Sequence, residues 1–236
     1  PNKKNAKEAE QKKNDLIMYM AHDLKTPLTS IIGYLTLLSD EKDISKESQQ
    51  KYIKIALDKS LRVEDLTNQF FDITRYNLQN MPINKQEINL VYLLRQVIDE
   101  CYPMLEKRNL KCEFKSIDKV MYYGDGDKLA RAFDNLLKNA IEAKDANIKE
   151  NKIKISLESD NNFMKIIIED NGIGMDKDTL DNVSEMFFTT KKKGSGLGVS
   201  LSKEIVEQHG GDLVYNSVKG EGTRVIVTLP KEINMA

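Results

Sequence analysis

Tryptophan is absent from this sequence of 236 residues, and cysteine occurs only twice, as Cys101 and Cys112. The two cysteines form no CxxC pair, and they share no metal-ligand spacing with the two histidines, His22 and His209. We therefore interpret both cysteines as free thiols of a reducing compartment, and neither a disulfide framework nor a cysteine–histidine metal site is expected.

Neither sign of charge is in excess, because 36 basic and 37 acidic residues give a net charge of −1. A nucleic-acid-binding protein would show a clustered basic excess, so we expect no nucleic-acid partner. No apolar run approaches the roughly 18 residues of a membrane span, and no signal peptide is recognisable. Because the chain begins at Pro1 in a charged run, we expect it to be a piece of a longer protein.

Two amphipathic helices are predicted in the first third of the chain. Apolar residues recur there at steps of three and four, at Ile17, Met20, Leu24, Leu28, Ile31, Leu35 and Leu38, and again at Ala56, Val63, Leu66, Phe70 and Ile73. A polar turn with a candidate N-cap at Ser45 separates them, which predicts an antiparallel hairpin. Because one hairpin buries only one seam, we expect a homodimer in which two hairpins form a four-helix bundle.

A second domain is predicted after a boundary near Pro82, which cannot continue a helix interior, so that residues 1–80 and 81–236 form separate domains. Helical patterns at 90–106 and 127–146 are followed or preceded by short strand-like runs. These runs lie at 111–114, 120–123, 152–158, 165–169, 212–215 and 224–229. The fold class is therefore α+β, a helical hairpin followed by an α/β sandwich with helices on one face of a sheet.

His22 is the candidate reactive residue of the first helix. It lies two positions from both Met20 and Leu24, so helical geometry turns it away from the apolar seam and exposes it. Asp23 can accept a proton from one ring nitrogen, which leaves the other as a nucleophile. Thr26 follows one turn later on the same face and can hold a water beside a phosphorylated ring. An ordinary surface histidine remains the alternative from periodicity alone.

Several modest signals in the second domain point to a nucleotide. Asn135 and Asn139 stand four residues apart on one helical face, where they are either solvated or present oxygens to a magnesium ion that bridges phosphates. Asp170 ends a strand before Gly172 and Gly174, and its carboxylate can accept a hydrogen bond from an amine such as that of adenine.

A second glycine-rich segment, Gly194-Ser195-Gly196-Leu197-Gly198, precedes a predicted helix at 199–209. Backbone N–H groups at such a helix start can bind phosphate oxygens, although the segment does not match a Walker P-loop. The later turn at 219–223 is interpreted alone as a hairpin turn.

Together these motifs, in this order, resemble those of the sensor histidine kinases of two-component systems. The segment Ala21-His22-Asp23-Leu24-Lys25-Thr26-Pro27-Leu28 resembles the phospho-acceptor box, and residues 135–143 resemble the N box. Residues 170–174, 187–191 and 194–198 resemble the first glycine box, the F box and the second glycine box. Within the family, residues 14–79 are most similar to the vancomycin-resistance sensor kinases.

The resemblance implies a Bergerat-type ATP-binding domain, with ATP and Mg²⁺ as cofactors. It implies that His22 accepts phosphate, that Asp23 assists the kinase step, and that Thr26 supports dephosphorylation of a response regulator partner. Asn139 is the implied magnesium ligand. The implied nucleotide-binding residues are Asn135, Asn139, Asp170, Gly172, Gly174, Lys191, Gly194, Gly196, Leu197, Gly198 and Thr223.

The chain departs from the family pattern in three places, one of which is Val199 in place of a common Leu. Glu142 and Ala143 stand where many sensor kinases carry a basic and an aromatic residue, and the lid is short and rich in lysine. We expect Lys191 or a neighbour to meet the γ-phosphate, with solvated lysines as the alternative. The resemblance also implies that the chain is the cytoplasmic portion of a membrane-anchored protein.

Two other classes of protein compete with this interpretation. A Bergerat-type ATPase would hydrolyse ATP to drive a conformational cycle, but such enzymes usually carry a glutamate base where Asn135 stands. A dimeric scaffold, or a sensor dominated by phosphatase activity, would have lost the kinase chemistry. The intact residues His22, Asp23 and Asn139 argue against that loss.

Overall fold

A computed structural model of the chain divides into two compact units, Pro1–Met81 and Pro82–Ala236. It describes residues 2–41, 43–77, 83–117, 119–186, 188–191 and 196–231. The predicted boundary at residue 80 lies outside the described residues. Among those described, no helix combines the length and apolar character that crossing a bilayer requires.

The first unit is a helical hairpin, as predicted. Helix α1 runs over Asn2–Asp40 and helix α2 over Lys46–Asn77. The hydroxyl of Ser45 accepts a hydrogen bond from the backbone N–H of Ser48 at 3.2 Å, so the predicted N-cap of α2 is confirmed. The rings of Tyr34 and Tyr52 pack across the hairpin with centroids 5.4 Å apart.

A second apolar face remains exposed on this hairpin. Each of its six side chains is at least 43% exposed: Leu28, Ile32 and Leu35 on α1, and Ile53, Leu57 and Leu61 on α2. Spacings of three and four residues place each triplet on one helical face. Leu28 and Leu35 belong to the predicted apolar series, but they face outward in the single chain. Such a face needs a partner, because contiguous exposed apolar surface is rare on monomers.

The second unit contains a five-stranded sheet in the order β2-β4-β5-β7-β6, in which only β2 and β4 pair in parallel. Strands β1 and β3 form a separate antiparallel pair. The elements are β1 Gln86–Asn89, α3 Leu90–Lys107, β2 Lys111–Ser116, β3 Met121–Gly124, α4 Gly126–Glu142, β4 Lys152–Ser159, β5 Phe163–Asp170, α5 Lys177–Asn182, α6 Gly198–Gln208, β6 Asp212–Val218 and β7 Gly222–Pro230.

The core of this unit lies between the sheet and its helices. Buried residues alternate along β4, with Ile153, Ile155 and Leu157 on the covered face. Helix α4 supplies eight buried residues, and its N-terminus is capped by Asp125, whose side chain accepts from the N–H of Lys128. The predicted α/β sandwich is thus confirmed, and α4 is the layer that carries Asn135 and Asn139.

The structure corrects the predicted end of α4 and adds two short elements. The helix ends at Glu142 rather than at residue 146, because the Asn151 side chain accepts from the backbone N–H of Asp145 and donates to its carbonyl in the following loop. Strand β1 has four residues, and α5 has six with none buried, so neither has a measurable hydrophobic period.

We predict that the chain is a homodimer and that Leu57→Glu converts it to a monomer, because the charge would be buried where this apolar face packs against the partner. Sedimentation equilibrium measures the mass directly. Lys51→Glu, on a different face of α2, is the matched control and should leave the dimer intact. A wild-type monomer at micromolar concentration, or a dimeric Leu57→Glu variant, would contradict the prediction.

Candidate functional site

His22 is held on the outer surface of α1, with its side chain 81% exposed, so its predicted exposure is confirmed. Its Nδ1 lies 3.4 Å from Oδ1 of Asp23. Since the two ring nitrogens lie on opposite edges of the imidazole, Nε2 faces away from this carboxylate. Thr26 is exposed one turn later, and its hydroxyl donates to the carbonyl of His22 at 3.4 Å. The three residues predicted to act together are therefore neighbours.

The second histidine, His209, has the opposite environment. It is 3% exposed, its Nδ1 lies 2.7 Å from the carbonyl oxygen of Ile205, and its Nε2 accepts from the N–H of Asp125 at 3.0 Å. A carbonyl can only accept, so Nδ1 carries the proton and the ring is neutral. Burial lowers the pKa of His209, which preserves that neutral form. His209 joins α6 to the start of α4 and is structural.

Asp170 ends β5 in a half-buried position beside β7, where it pairs with Thr223. Its carboxylate accepts a hydrogen bond from the N–H of Gly172 at 2.9 Å. Burial raises the pKa of Asp170 to about 6, and the backbone N–H groups of Gly172 and Thr223 oppose that rise. The hydroxyl of Thr223 lies 3.0 Å from that of Ser217, so this predicted residue contributes its backbone to the site.

Glycines are required around Asp170 because the backbone passes too close for a side chain. A Cβ at Gly172 would collide with the carbonyl of Ala143 at the end of α4. Gly174 has a φ of +61°, and its Cβ would collide with the carbonyl of Val218. Gly222, at φ +108°, would strike the carbonyl of Asp170 itself. The turn at 219–223 is therefore part of the site wall as well as a hairpin turn.

Lys191 contacts two side chains near the end of α4, one of which is the predicted magnesium ligand Asn139. Its Nζ donates to Oδ1 of Asn139 at 2.8 Å and to Oε2 of Glu142 at 2.5 Å. The structure thus brings the predicted magnesium ligand next to the predicted phosphate-binding lysine. Glu142 was not predicted as a site residue, although its departure from the family pattern was the signal that could have found it.

The same contacts test whether the residues fit a magnesium ion. Two side-chain oxygens, from Asn139 and Glu142, converge on one positive charge, so the ammonium stands where a cation is favoured. Among the described residues, no group of three or more acidic, histidine or cysteine side chains could hold a metal. This sparse donor set fits Mg²⁺, which takes few protein oxygens and completes its shell with phosphates and water.

The second glycine segment leads into α6. Gly196 has a φ of +69°, and α6 starts at Gly198 beside the side chain of Asn135, with 3.8 Å between Oδ1 and a Cβ built on the glycine. Leu197 is 3% exposed and packs in the core, so any contact with a nucleotide comes from its backbone. Phe187 and Gly194, both in the predicted boxes, lie outside the described residues.

Comparison with known protein families identifies both units. Residues 12–79 match the His Kinase A (phospho-acceptor) domain, and residues 124–233 match the histidine kinase-, DNA gyrase B- and HSP90-like ATPase family. A phospho-acceptor hairpin followed by an ATP-binding domain of this kind defines a histidine kinase catalytic region. The chain belongs to the family of sensor histidine kinases.

Individual relatives agree with this assignment. The chain is 41% identical to the sensor protein VanS of Enterococcus faecium, over 95% of this chain and 59% of that protein. It is 39% identical to VanSC of Enterococcus gallinarum, over 97% of this chain and 64% of the relative. The chain thus spans about three fifths of the length of these relatives.

A solved structure of histidine kinase ThkA, in complex with response regulator protein TrrA, shares the fold. The TM-score is 0.75 at 23% identity, and the match covers 99% of this chain and 67% of ThkA.

We predict that burial of the Asp170 carboxylate destabilises the second unit at neutral pH. The pKa is higher in the folded chain, about 6, than in the unfolded chain, so the folded state binds the proton more tightly. The free energy of unfolding should therefore fall by about 2 kcal/mol between pH 4.5 and 7.5 through this group.

Urea denaturation of wild type and Asp170→Asn at both pH values measures the effect. The Asn variant should gain stability relative to wild type at pH 7.5 and less so at pH 4.5. The exposed Asp181→Asn on α5 is the control and should show no such pH-dependent gain. An equal difference between wild type and Asp170→Asn at both pH values would rule the explanation out.

Proposed function

We propose that the protein is an ATP-dependent kinase that phosphorylates its own His22 and passes the phosphoryl group to an aspartate of a response regulator. The observation that carries the proposal is the 81% exposed ring of His22 with a carboxylate 3.4 Å from Nδ1. An exposed imidazole oriented in this way can meet a nucleotide that is bound elsewhere in the protein. The family membership of both units supports the same reaction.

The adenine end of ATP is assigned to Asp170. Its ionised carboxylate would accept a hydrogen bond from the exocyclic amine of adenine, while the N–H of Gly172 keeps it in place at 2.9 Å. Gly174 and Thr223 complete the wall around it. Hydrogen bonds to a charged acceptor contribute about 1.5–3 kcal/mol, which suits a residue that selects adenine.

The phosphate end is assigned to the start of α6 and to α4. Backbone N–H groups at Gly196, Leu197 and Gly198 lie where a helix N-terminus favours phosphate. Gly194 and Asn135 are further proposed contributors. Asn139 would hold Mg²⁺ through Oδ1, and the bound ion would supply positive charge that neutralises the phosphate oxygens.

The phosphoryl step needs a lone pair on one ring nitrogen of His22. Asp23 accepts a hydrogen bond from the Nδ1–H group, which keeps the proton on Nδ1 and leaves the lone pair on Nε2. A bond forms between Nε2 and the γ-phosphorus, the bond from that phosphorus to the bridging oxygen breaks, and ADP leaves with the electron pair. The carboxylate of Asp23 stabilises the positive charge on the ring. Asp23 therefore both orients the imidazole of His22 and stabilises its charged form.

Each unit has a proposed task. Residues 1–80 form the dimerisation and phosphotransfer hairpin, and residues 81–236 form the catalytic ATP-binding domain. The partner is a response regulator, as in the ThkA–TrrA complex. The whole protein is proposed to be membrane-anchored, with this portion in the cytoplasm.

An ATPase without histidine phosphorylation is the competing function. It would need a base to activate water, and Asn135 beside Gly198 offers an amide, which is a poor base. The exposed His22–Asp23 pair would also have no role in such an enzyme.

We predict that incubation with γ-labelled ATP and Mg²⁺ labels the wild-type chain and that His22→Gln removes the label completely. The loss follows from removal of the accepting nitrogen. Label should be stable in base and lost in acid, as expected of a phosphorus–nitrogen bond. Release of phosphate without any labelled protein would identify an ATPase and reject the kinase.

We also predict phosphatase activity toward the regulator, which depends on Thr26 beside His22 on α1. Thr26→Ala should leave labelling of His22 within about twofold but slow dephosphorylation of the regulator by about tenfold, because the hydroxyl that positions water is lost. Thr29→Ala is the matched control, since its exposed hydroxyl bonds the carbonyl of Lys25 one turn along the helix. Equal dephosphorylation by wild type and Thr26→Ala would remove Thr26 from this role.

A further inference from the structure

The phosphate end of the site contains a carboxylate that the proposed kinase chemistry does not use. Glu142 is the last residue of α4, its Oε2 lies 2.5 Å from Nζ of Lys191, and its side chain is 37% exposed. Lys191 is 42% exposed and also donates to Asn139. The three groups belong to one cluster, which we name the Glu142–Lys191–Asn139 cluster.

The cluster combines the negative charge of Glu142 and the positive charge of Lys191 at the proposed binding site of the nucleotide phosphates. The ammonium of Lys191 donates to both the amide oxygen of Asn139 and the carboxylate of Glu142. The positive charge of the lysine is therefore already compensated. A nucleotide without a metal ion would meet a negative carboxylate and a lysine that is engaged elsewhere.

We propose that Glu142 is a specificity-determining residue that makes the site select the magnesium complex of a nucleotide over the metal-free nucleotide. This inference rests on the proposed function, because it assumes that nucleotide phosphates bind beside Asn139. Glu142 acts in two ways: it repels phosphate oxygens directly, and it holds Lys191 away from them.

A divalent cation would remove both effects. Asn139 would hold it through Oδ1, close to the Glu142 carboxylate, because the single Nζ of Lys191 reaches both oxygens. Its positive charge would offset the negative charge of Glu142, and Lys191 would give up the amide oxygen. The displaced lysine would then be available to the phosphates. With a neutral residue at position 142, no cation would be needed to free Lys191 for the phosphates.

The test compares ATP binding with and without metal by isothermal titration calorimetry, using the whole 236-residue chain. The dissociation constant for ATP is measured in excess Mg²⁺ and in EDTA for wild type, Glu142→Gln and the double variant Glu142→Gln/Lys191→Gln. Glu158→Gln, which removes an exposed carboxylate from β4, is the matched control. Thermal unfolding checks that each variant is folded.

Glu142→Gln should tighten ATP binding in EDTA by about fivefold and change it by less than twofold in Mg²⁺. A fivefold change corresponds to the weak, solvated end of a single charge interaction at short range, here chiefly that of the released Lys191 with the phosphates. The double variant should lose most of this gain, because the released lysine is its main source. Glu158→Gln should match wild type in both buffers.

Three results would overturn the inference while leaving the proposed function intact. They are unchanged binding of Glu142→Gln in EDTA, an equal gain in both buffers, and the same gain in Glu158→Gln. If wild type binds no ATP in either buffer, the proposed function fails together with the inference.

Discussion

Close backbone packing around the half-buried Asp170 carboxylate is the constraint on which the site of the second unit depends. Three backbone segments close around it so tightly that Gly172, Gly174 and Gly222 cannot carry a Cβ without a collision. Each of these segments comes from a different connection, namely the end of α4, the loop after β5 and the β6–β7 turn. The close approach of Gly172 to the carbonyl of Ala143 therefore brings the end of α4, which carries Asn139 and Glu142, beside Asp170. A carboxylate kept partly desolvated in this way costs stability, as is common for groups held for ligand binding.

The two histidines show how burial assigns different tasks to the same side chain. His209 is enclosed between a carbonyl and a backbone N–H, so both of its nitrogens are occupied and its ring is neutral. His22 has one nitrogen beside Asp23 and the other facing away from that carboxylate, on an exposed helical surface. Only the second arrangement leaves a nucleophilic lone pair accessible to a phosphoryl donor. Chemical reactivity here follows from solvent access and from one neighbouring carboxylate.

Much of the fold could be predicted because its long elements have strong hydrophobic periods. These periods predicted both helices of the hairpin, α3 and the strands of the main sheet. The predicted end of α4 was wrong because the side chain of Asn151 bonds the backbone of Asp145 across a loop. Hydrophobic periodicity contains no information about such bonds. The cluster of Lys191 with Glu142 could not be predicted from spacing, since 49 residues separate the two partners. The sequence predicted Asn139 as a magnesium ligand but could not show that the ammonium of Lys191 lies beside it.

The proposed kinase reaction requires transfer of a phosphoryl group to Nε2 of His22. Nitrogen-15 and phosphorus-31 NMR of the chain, labelled in its histidines and incubated with ATP and Mg²⁺, tests this directly, because the two ring nitrogens give distinct couplings to a bound phosphorus. The account predicts phosphorus on Nε2 of His22, with Nδ1 still protonated and the ring of His209 unchanged. Phosphorus on Nδ1 of His22, or on any other residue, would contradict it.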